Sequence, residues 1–229
     1  MPDPTPFPSG PARGPASAAP PAPGPGPGRK PQISRDDLIA AALRLLGPHR
    51  SISTLGLREV AREADIAPNS FYRHFRDIDA LAIALIELGG RSLRTIIREA
   101  RTRLRPGRSV IRTSIETFME QLDADERLLH ILLREGMVGS DAYKAAVERE
   151  LRTFEEELRI DLVRLSEAGG RPIHAPALVA TAMTRLVFAM GGTAIDLPRE
   201  RRGEVVEQLV EMLRMIMVGA HALAEHEER

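Results

Sequence analysis

Residues 57–75 read LREVAREADIAPNSFYRHF, and this stretch determines how the front of the chain folds. Its first half has small and aliphatic residues at helical spacing, and its second half ends in the aromatic and basic run FYRHF. Asp65 and Ile66 fall between the halves, and Pro68 suits the first position of a new helix. The pattern predicts helices over 57–64 and 68–75 around a tight turn, which together form a helix-turn-helix.

The second of these helices has polar groups left over once its aromatic anchors, Phe71 and Phe75, are buried. Such a helix lies in the major groove of DNA, where Asn and Arg can pair with base edges. Tyr, His and further Arg side chains suit phosphate oxygens. We predict base contacts from one set of residues and phosphate contacts from another. The first set is Pro68, Asn69, Ser70 and Arg73, and the second is Arg58, Tyr72 and His74.

The rest of the chain after residue 33 also has helical patterns. A helix beginning at Ser34 is ended by Gly47-Pro48, and a long helix over 78–104 follows the helix-turn-helix. Further helices are predicted over 109–122, 125–138, 141–168, 175–195 and 199–225. Since no convincing alternating strand pattern is present, the sequence predicts an all-α fold.

Composition sets further bounds. Residues 1–31 hold twelve of the 18 prolines and are otherwise rich in Ala and Gly, so this tail is predicted to be disordered. The absence of cysteine excludes disulfides, thiolate zinc sites and cysteine nucleophiles. The front lacks the features of a signal peptide, and no run of 18 apolar residues predicts a membrane span. We therefore expect a cytoplasmic protein.

Charge is unevenly distributed, although the net charge of the chain is zero. Residues 29–105 contain 15 Lys and Arg against 9 Asp and Glu, whereas residues 106–229 contain 16 against 22. A basic front and an acidic remainder suit a protein that presents one end to a polyanion. Chance variation of solvated faces would give the same asymmetry, so charge alone does not decide the function.

Residues 34–86 resemble the DNA-binding domain of TetR-family repressors. The resemblance rests on Val60-Ala61, on the run from Phe71 to Phe75, and on the start of the long helix over 77–81. More narrowly, residues 57–81 are similar to the FabR and DesT group of fatty-acid biosynthesis repressors, with a weaker likeness at 109–114, 118–119 and 132–135. The family usually has glycine at the turn, where this chain has Asp65.

This resemblance implies a helix-turn-helix domain over 32–78 and a helical effector-binding and dimerisation domain over 79–229. It implies a homodimer that binds a palindromic double-stranded operator and represses genes of unsaturated fatty-acid synthesis. The effector would be an acyl thioester carried on coenzyme A or acyl carrier protein. A four-helix bundle from the last two helices of each subunit would form the dimer.

Apolar residues on several of the later helices are candidates for the effector pocket, although a filled core fits most of them equally well. The candidates are Phe118, Met119, Leu122, Leu133, Met137, Phe154, Met183, Leu186, Val187 and Met190. Arg134 and Glu135 are candidates for a pocket mouth or for a surface ion pair. The predicted association face of the last helix is Val206, Leu209, Val210, Leu213, Ile216, Met217 and Ala220. Gly191, Gly192 and Ala194 would let a partner helix approach closely.

Three other functions compete with this one. A TetR-like repressor that senses a drug or another small apolar molecule differs only in its ligand. An enzyme is disfavoured because the six histidines are scattered and there is no glycine-rich phosphate loop or nucleophile elbow, so we predict no catalytic residue, metal or cofactor. A protein-interaction module without DNA binding is disfavoured by the basic front and by the Tyr72–His74 cluster.

Overall fold

A computed structural model describes residues 33–46, 50–102, 109–124 and 126–227, with the side chains of 124, 126 and 136–138 left out. The predicted tail over 1–31 and the predicted helix stops at Gly47-Pro48 and 105–107 lie outside the described residues. Within them the structure consists of α-helices, turns and one short 3-10 segment, with no strand. The prediction of an all-α fold is confirmed.

The described residues form nine α-helices and one 3-10 turn over Ile52–Thr54. The first four helices are α1 (Arg35–Leu45), α2 (Leu57–Glu63), α3 (Pro68–Phe71) and α4 (Ile78–Thr102). The others are α5 (Val110–Ala124), α6 (Glu126–Val138), α7 (Asp141–Gly169), α8 (Pro176–Ile195) and α9 (Arg199–Glu227).

The first helix begins at a reciprocal cap. The Ser34 hydroxyl accepts a hydrogen bond from the Asp37 amide at 3.1 Å, and the Asp37 carboxylate accepts one from the Ser34 amide at 2.8 Å. The two bonds satisfy donors that the helix itself leaves unpaired. The Ser34 hydrogen bonds lower the pKa of Asp37.

The long helix α4 joins the front of the molecule to the rest. Its first half buries Leu81 and Leu85 in the core that it shares with α1. Its middle has Gly89 and Gly90, where α6 and α7 approach closely. A Cβ atom at Gly89 would lie 2.9 Å from the Leu128 carbonyl oxygen, so this crossing requires glycine.

The predicted association face of α9 requires a correction. Leu209, Val210, Leu213 and Ala220 are buried within the same chain, where α9 packs against α5 and α8, and Val206, Ile216 and Met217 are half-buried there. Helical periodicity shows which face of a helix is buried, but not which partner buries it. The exposed apolar residues of α9 lie on another face. They are Met212, Met215, Val218 and Leu223, and we call them the exposed α9 stripe.

The small residues of α8 are corrected in the same way. A Cβ atom at Gly191 would lie 2.6 Å from the Phe118 ring, so Gly191 makes room for a side chain of α5. Ala194 is fully buried, and only Gly192 is partly exposed. The close approach that these residues permit is therefore mainly within the chain.

Candidate nucleic-acid interface and effector cavity

The chain reverses direction between α2 and α3 at Asp65. This residue has a φ of 53°, in the left-handed region, and the Ile66 amide donates a 3.0 Å hydrogen bond back to the Ala61 carbonyl. Asp tolerates this conformation better than most residues with a side chain, which explains how the turn forms without glycine. The predicted turn is confirmed.

Aromatic side chains hold the second helix of the motif from below. Phe71 is fully buried and Phe75 is 3% exposed, with their ring centroids 5.7 Å apart. The Arg35 guanidinium lies 4.8 Å from the Phe75 ring centroid, which adds a cation–π contact from α1. The predicted anchoring role of both phenylalanines is confirmed.

The second helix is shorter than predicted. It ends at Phe71 rather than at residue 75, and the following residues continue as turns. The amides of Arg73 and His74 donate to carbonyls three positions earlier, at Ser70 and Phe71, which is 3-10 geometry. The backbone of residues 72–75 therefore continues the helical turn, but more tightly than in an α-helix.

The seven residues predicted to contact DNA all have side chains that reach solvent. Arg58, Pro68, Asn69, Tyr72 and Arg73 are exposed, with Tyr72 at 57%, while Ser70 and His74 are half-buried. Among the described residues no ion pair engages Arg58 or Arg73. Nearby carboxylates are instead paired to other arginines, which leaves these two available for phosphate or base oxygens.

The pairs that engage those carboxylates stabilise the front of the molecule. Arg50 donates two 2.8 Å hydrogen bonds to the carboxylate of Glu59, and Arg44 contacts Glu63 at 2.7 Å. The hydrogen bonds from Arg50 lower the pKa of Glu59. Arg50 lies just before the 52–54 turn, so this pair fastens that segment to α2.

A cavity of about 830 Å³ lies among the second half of α4, α5, α7, α8 and α9. Four predicted pocket residues line it: Phe118, Phe154, Met183 and Val187. The rings of Phe118, Phe188 and Phe154 form a chain along it, with centroid separations of 5.8 and 5.2 Å. Its size is within the range of small-molecule sites.

The other predicted pocket residues lie elsewhere. Met119, Leu122 and Leu133 are buried in the core. Neither these three residues nor Leu186 and Met190 are among the described residues that line the cavity. The side chain of Met137 lies outside the described residues. The sequence reasoning missed apolar lining residues from α4, α5, α7, α8 and α9. These include Ile97, Ile115, Leu158, Phe188, Leu213 and Met217.

One edge of the cavity is charged, with four arginines against two carboxylates. Arg98 contacts Glu157 at 3.0 Å, and Arg101 contacts Asp161 at 2.9 Å, so α4 and α7 are connected by ion pairs along this edge. Arg94 and Arg164 complete the set. The spacing of 94, 98 and 101 puts these arginines on one helix face, a signal that the sequence contained.

Glu135 plays neither of the two roles considered for it, whereas Arg134 forms an exposed ion pair but does not line the 830 Å³ cavity. Glu135 is only 1% exposed and faces the front of the molecule, not the 830 Å³ cavity. Arg134 is half-exposed and reaches Asp196 at 3.3 Å. The signal for burial was present, because Glu135 follows Leu132 by three positions and Ile131 by four, on the apolar face of α6.

The described part of the chain also bears on metal binding and on membrane insertion. No group of three His, Asp or Glu side chains able to hold a metal ion occurs there. By length and apolar composition alone, α8 could cross a membrane, but it packs in the bundle against α7 and α9. It also contains Arg185, whose guanidinium is hydrogen-bonded to Glu148 and Glu155 of α7 at 2.6 Å.

The described residues form a helical protein with a helix-turn-helix at its front and a separate cavity among α4, α5, α7, α8 and α9. Comparison with known proteins finds a similar sequence at the front and similar folds. Residues 38–85 match the sequence model of the bacterial regulatory proteins, tetR family. The regulatory protein TetR from Rhodobacter sphaeroides is 23% identical, with a TM-score of 0.59 over 78% of this chain and 95% of that one.

Two further solved structures share the fold. The fatty acid degradation regulator FadR from Bacillus halodurans is 13% identical, with a TM-score of 0.61 over 82% of this chain and 96% of that one. The multidrug binding protein EbrR, complexed with imidazole, is 17% identical, with a TM-score of 0.59 over 80% and 94%. Residues 38–85 therefore resemble the tetR-family regulatory proteins in sequence, and the described helices share the fold of these solved structures.

Proposed function

We propose that this protein is a cytoplasmic repressor that binds a palindromic DNA operator as a homodimer and is controlled by an acyl thioester. The observation that carries the DNA part is the exposed set around α3, in which Asn69, Tyr72 and Arg73 reach solvent above buried anchors. Exposed polar groups on a rigidly held helix after a tight turn are what major-groove recognition requires.

The dimer is supported by apolar surface that the single chain leaves uncovered. The exposed α9 stripe has spacings of three to five residues over 212–223, and Leu178 of α8 is 67% exposed. A twofold contact through α8 and α9 would bury these side chains and hold two copies of α3 at a fixed separation. The operator would then be palindromic.

The acyl thioester is supported by the two-part character of the cavity. Its interior is apolar and includes methionines and phenylalanines, which suit a flexible hydrocarbon chain. Its edge has an excess of arginine, which suits the phosphates of coenzyme A or of the acyl carrier protein's prosthetic group. By this reading the target genes belong to unsaturated fatty-acid synthesis, in keeping with the sequence likeness at residues 57–81.

A drug or another small apolar molecule is the second candidate effector. The mostly apolar lining favours it, and a neighbour in fold is described as a multidrug binding protein. The two candidates differ in the use of the charged edge, because an uncharged apolar ligand gains nothing from the arginines.

DNA binding is tested with the double variant Tyr72→Ala, Arg73→Ala on a palindromic duplex recovered by genome-wide mapping of bound sites. We expect at least a hundredfold loss of affinity, since two groups that contact the duplex are removed. The matched control is Lys144→Ala, Arg149→Ala, which removes exposed residues of α7. Unchanged affinity in a folded Tyr72, Arg73 variant would overturn the proposal.

Dimerisation is tested with Met215→Glu, Val218→Glu by light scattering. Two charges in the exposed α9 stripe should convert a dimer to a monomer, because unpaired charges cannot be buried cheaply. The control Glu211→Gln, Arg214→Gln removes two neighbouring charges without adding any. If the glutamate variant remains dimeric, the interface lies elsewhere.

The effector is tested with palmitoyl-coenzyme A, oleoyl-coenzyme A and free palmitate, using the wild type and Arg98→Ala, Arg164→Ala. We expect coenzyme A thioesters to bind about tenfold more weakly to the variant, the value of one lost charge-assisted hydrogen bond. Arg159→Ala, which changes an exposed pair with Glu156 on the same helix, is the control. If neither thioester binds, or if the variant binds the thioesters with wild-type affinity, a sensor of a small apolar molecule is favoured.

A further inference from the structure

A single buried carboxylate connects α6 to the segment in front of the helix-turn-helix. Oε1 of Glu135 accepts a hydrogen bond from the Ser51 hydroxyl at 2.7 Å and another from the Ile52 amide at 3.0 Å. Ser51 and Ile52 lie more than 80 residues earlier, at the start of the 52–54 turn. Because that turn leads through Leu55 and Gly56 into α2, Glu135 holds the beginning of the helix-turn-helix against the other helices.

The surroundings of Glu135 are built to accept its carboxylate. A Cβ atom at Gly139 would lie 2.8 Å from Glu135 Oε2, so glycine there leaves room for the second oxygen. That oxygen is buried and has no hydrogen-bond partner among the described residues. A Cβ atom at Gly139 would also lie 3.1 Å from Tyr143 Cβ, and the hydroxyl of Tyr143 donates a 2.6 Å hydrogen bond to Asp79 at the start of α4. Burial, followed by this hydrogen bond, raises the pKa of Tyr143 well above its ordinary value.

A buried carboxylate at this position is costly for stability alone. Removing a charged group from water costs free energy that hydrogen bonds only partly return, and an apolar side chain of similar size commonly does better. The carboxylate instead provides a fixed geometry, because its two hydrogen bonds set the positions of Ser51 and Ile52 relative to α6. A leucine at 135 would pack against the turn but would not fix its position.

We propose that Glu135 is a positioning residue that transmits the state of the effector cavity to the recognition helix. The inference rests on the proposed function. Helix α6 packs against α7 and α8, both of which line the cavity, and it also packs against α4. A movement of α7 or α8 around an effector shifts α6, and Glu135 carries that shift to Ser51 and from there to α2. This route is separate from α4, the helix that joins the front of the molecule to the rest.

The test compares operator affinity with and without palmitoyl-coenzyme A in the wild type, Glu135→Gln and Glu135→Ala. Couplings between sites are commonly 5- to 150-fold, and we expect at least a tenfold effect of the thioester on the wild type. In Glu135→Ala the thioester still binds with wild-type affinity, but its effect on DNA falls below threefold. Glu135→Gln retains an acceptor oxygen, so the effect of the thioester on its operator affinity should lie between those in the wild type and in Glu135→Ala. A full wild-type response in Glu135→Ala would overturn the proposal.

The matched control is Arg127→Ala. Arg127 is also on α6 and contacts the front of the molecule, through a 3.3 Å hydrogen bond to the Leu43 carbonyl at an exposed edge. If coupling depended on any contact between α6 and the front, this variant would lose it as well. We expect its response to the thioester to be unchanged, and an equal loss in both variants would refute a specific role for Glu135.

A second measurement needs neither DNA nor effector. Amide hydrogen exchange at Ile52 should become at least tenfold faster in Glu135→Ala, while exchange at Val60 within α2 changes little. If Glu135→Ala does not fold, Ser51→Ala gives the same test of coupling from the other side, with a partial loss expected. Unchanged exchange at Ile52 would overturn the proposal. A wild type that binds no duplex would contradict the proposed function instead, and the exchange result would still decide whether Glu135 holds the turn.

Discussion

The proposed DNA-binding end and the proposed effector cavity divide the tasks of folding and binding differently. At the DNA-binding end, Phe71 and Phe75 are buried while Tyr72 and Arg73 between them are exposed, so different residues perform the two tasks. Around the cavity, a side chain such as Phe154 both packs its helix and faces the ligand space. Substitutions on the proposed DNA surface should therefore cost little stability, whereas substitutions in the cavity lining also alter core packing.

The two regions also differ in how their charges are used. Arg58 and Arg73 are in no ion pair among the described residues, so a phosphate displaces only water from them. Arg98 and Arg101 at the cavity edge are already paired with Glu157 and Asp161 of α7. An anionic effector must compete with those carboxylates, so its binding changes the connection between α4 and α7.

The largest expected effect contrasts an anchor with a cavity wall. Phe71→Ala should lower the free energy of unfolding by about 3–5 kcal/mol, because a fully buried ring is replaced by a void. Phe154→Ala should cost only about 1–2 kcal/mol, since one side of its ring faces the cavity rather than packed atoms. Urea denaturation of both variants measures the difference. Equal losses would show that the cavity wall is as tightly packed as the front core.

A smaller effect is expected where the bundle itself is tightest. Gly191→Ala places a methyl group 2.6 Å from the Phe118 ring, and such overpacking costs about 1–3 kcal/mol. Gly203→Ala in α9 is the matched control, because no atom beyond its chain neighbours and its own helix backbone lies within 4 Å of the added methyl group. It should stabilise the protein by up to about 1 kcal/mol through helix propensity. A melting temperature of Gly191→Ala at or above that of the wild type would contradict the close packing of α5 on α8.

The helix-turn-helix could be predicted from the sequence because the residues that indicate it lie close together in the chain. The turn at Asp65 and the phenylalanines four residues apart lie within twenty residues, where helical spacing determines which side chains share a face. The cavity could not be predicted in the same way, because its lining combines residues from five helices whose relative placement no local pattern contains. The two faces of α9 show the same limit, since periodicity separated them without revealing that one packs against α5 and α8 of its own chain.

Acid should weaken the contact between α7 and α8 by a modest amount. Hydrogen bonds from Arg185 lower the pKa of Glu148 below its ordinary value of 4.5. A carboxyl with a lowered pKa in the folded state contributes stability above its unfolded pKa, and this contribution is lost as pH falls through the folded value. Both side chains are about two-fifths exposed, so solvent screening limits the contribution to about 1 kcal/mol.

The measurement for this pair is the urea midpoint from pH 6 to pH 3. Glu148→Gln should be less stable than the wild type at pH 6 and should converge with it towards pH 3. Glu167→Gln, at an exposed carboxylate of the same helix, should follow the wild type throughout. Parallel curves for Glu148→Gln and the wild type would mean that the pair contributes nothing measurable.

The smallest effect is expected at Asp65, in the turn of the helix-turn-helix. Asp65→Gly removes the strain of a left-handed residue that has a side chain, but it also gives the unfolded chain more freedom. The two terms nearly cancel, so we expect a rise in melting temperature of about 1 °C with operator affinity unchanged. Asp65→Ala keeps the positive φ without the tolerance of Asp, and should lower the free energy of unfolding by about 1 kcal/mol. If Asp65→Gly instead lost operator affinity while its stability held, the carboxylate would belong to the DNA surface, and folding and binding would share a residue at this end as well.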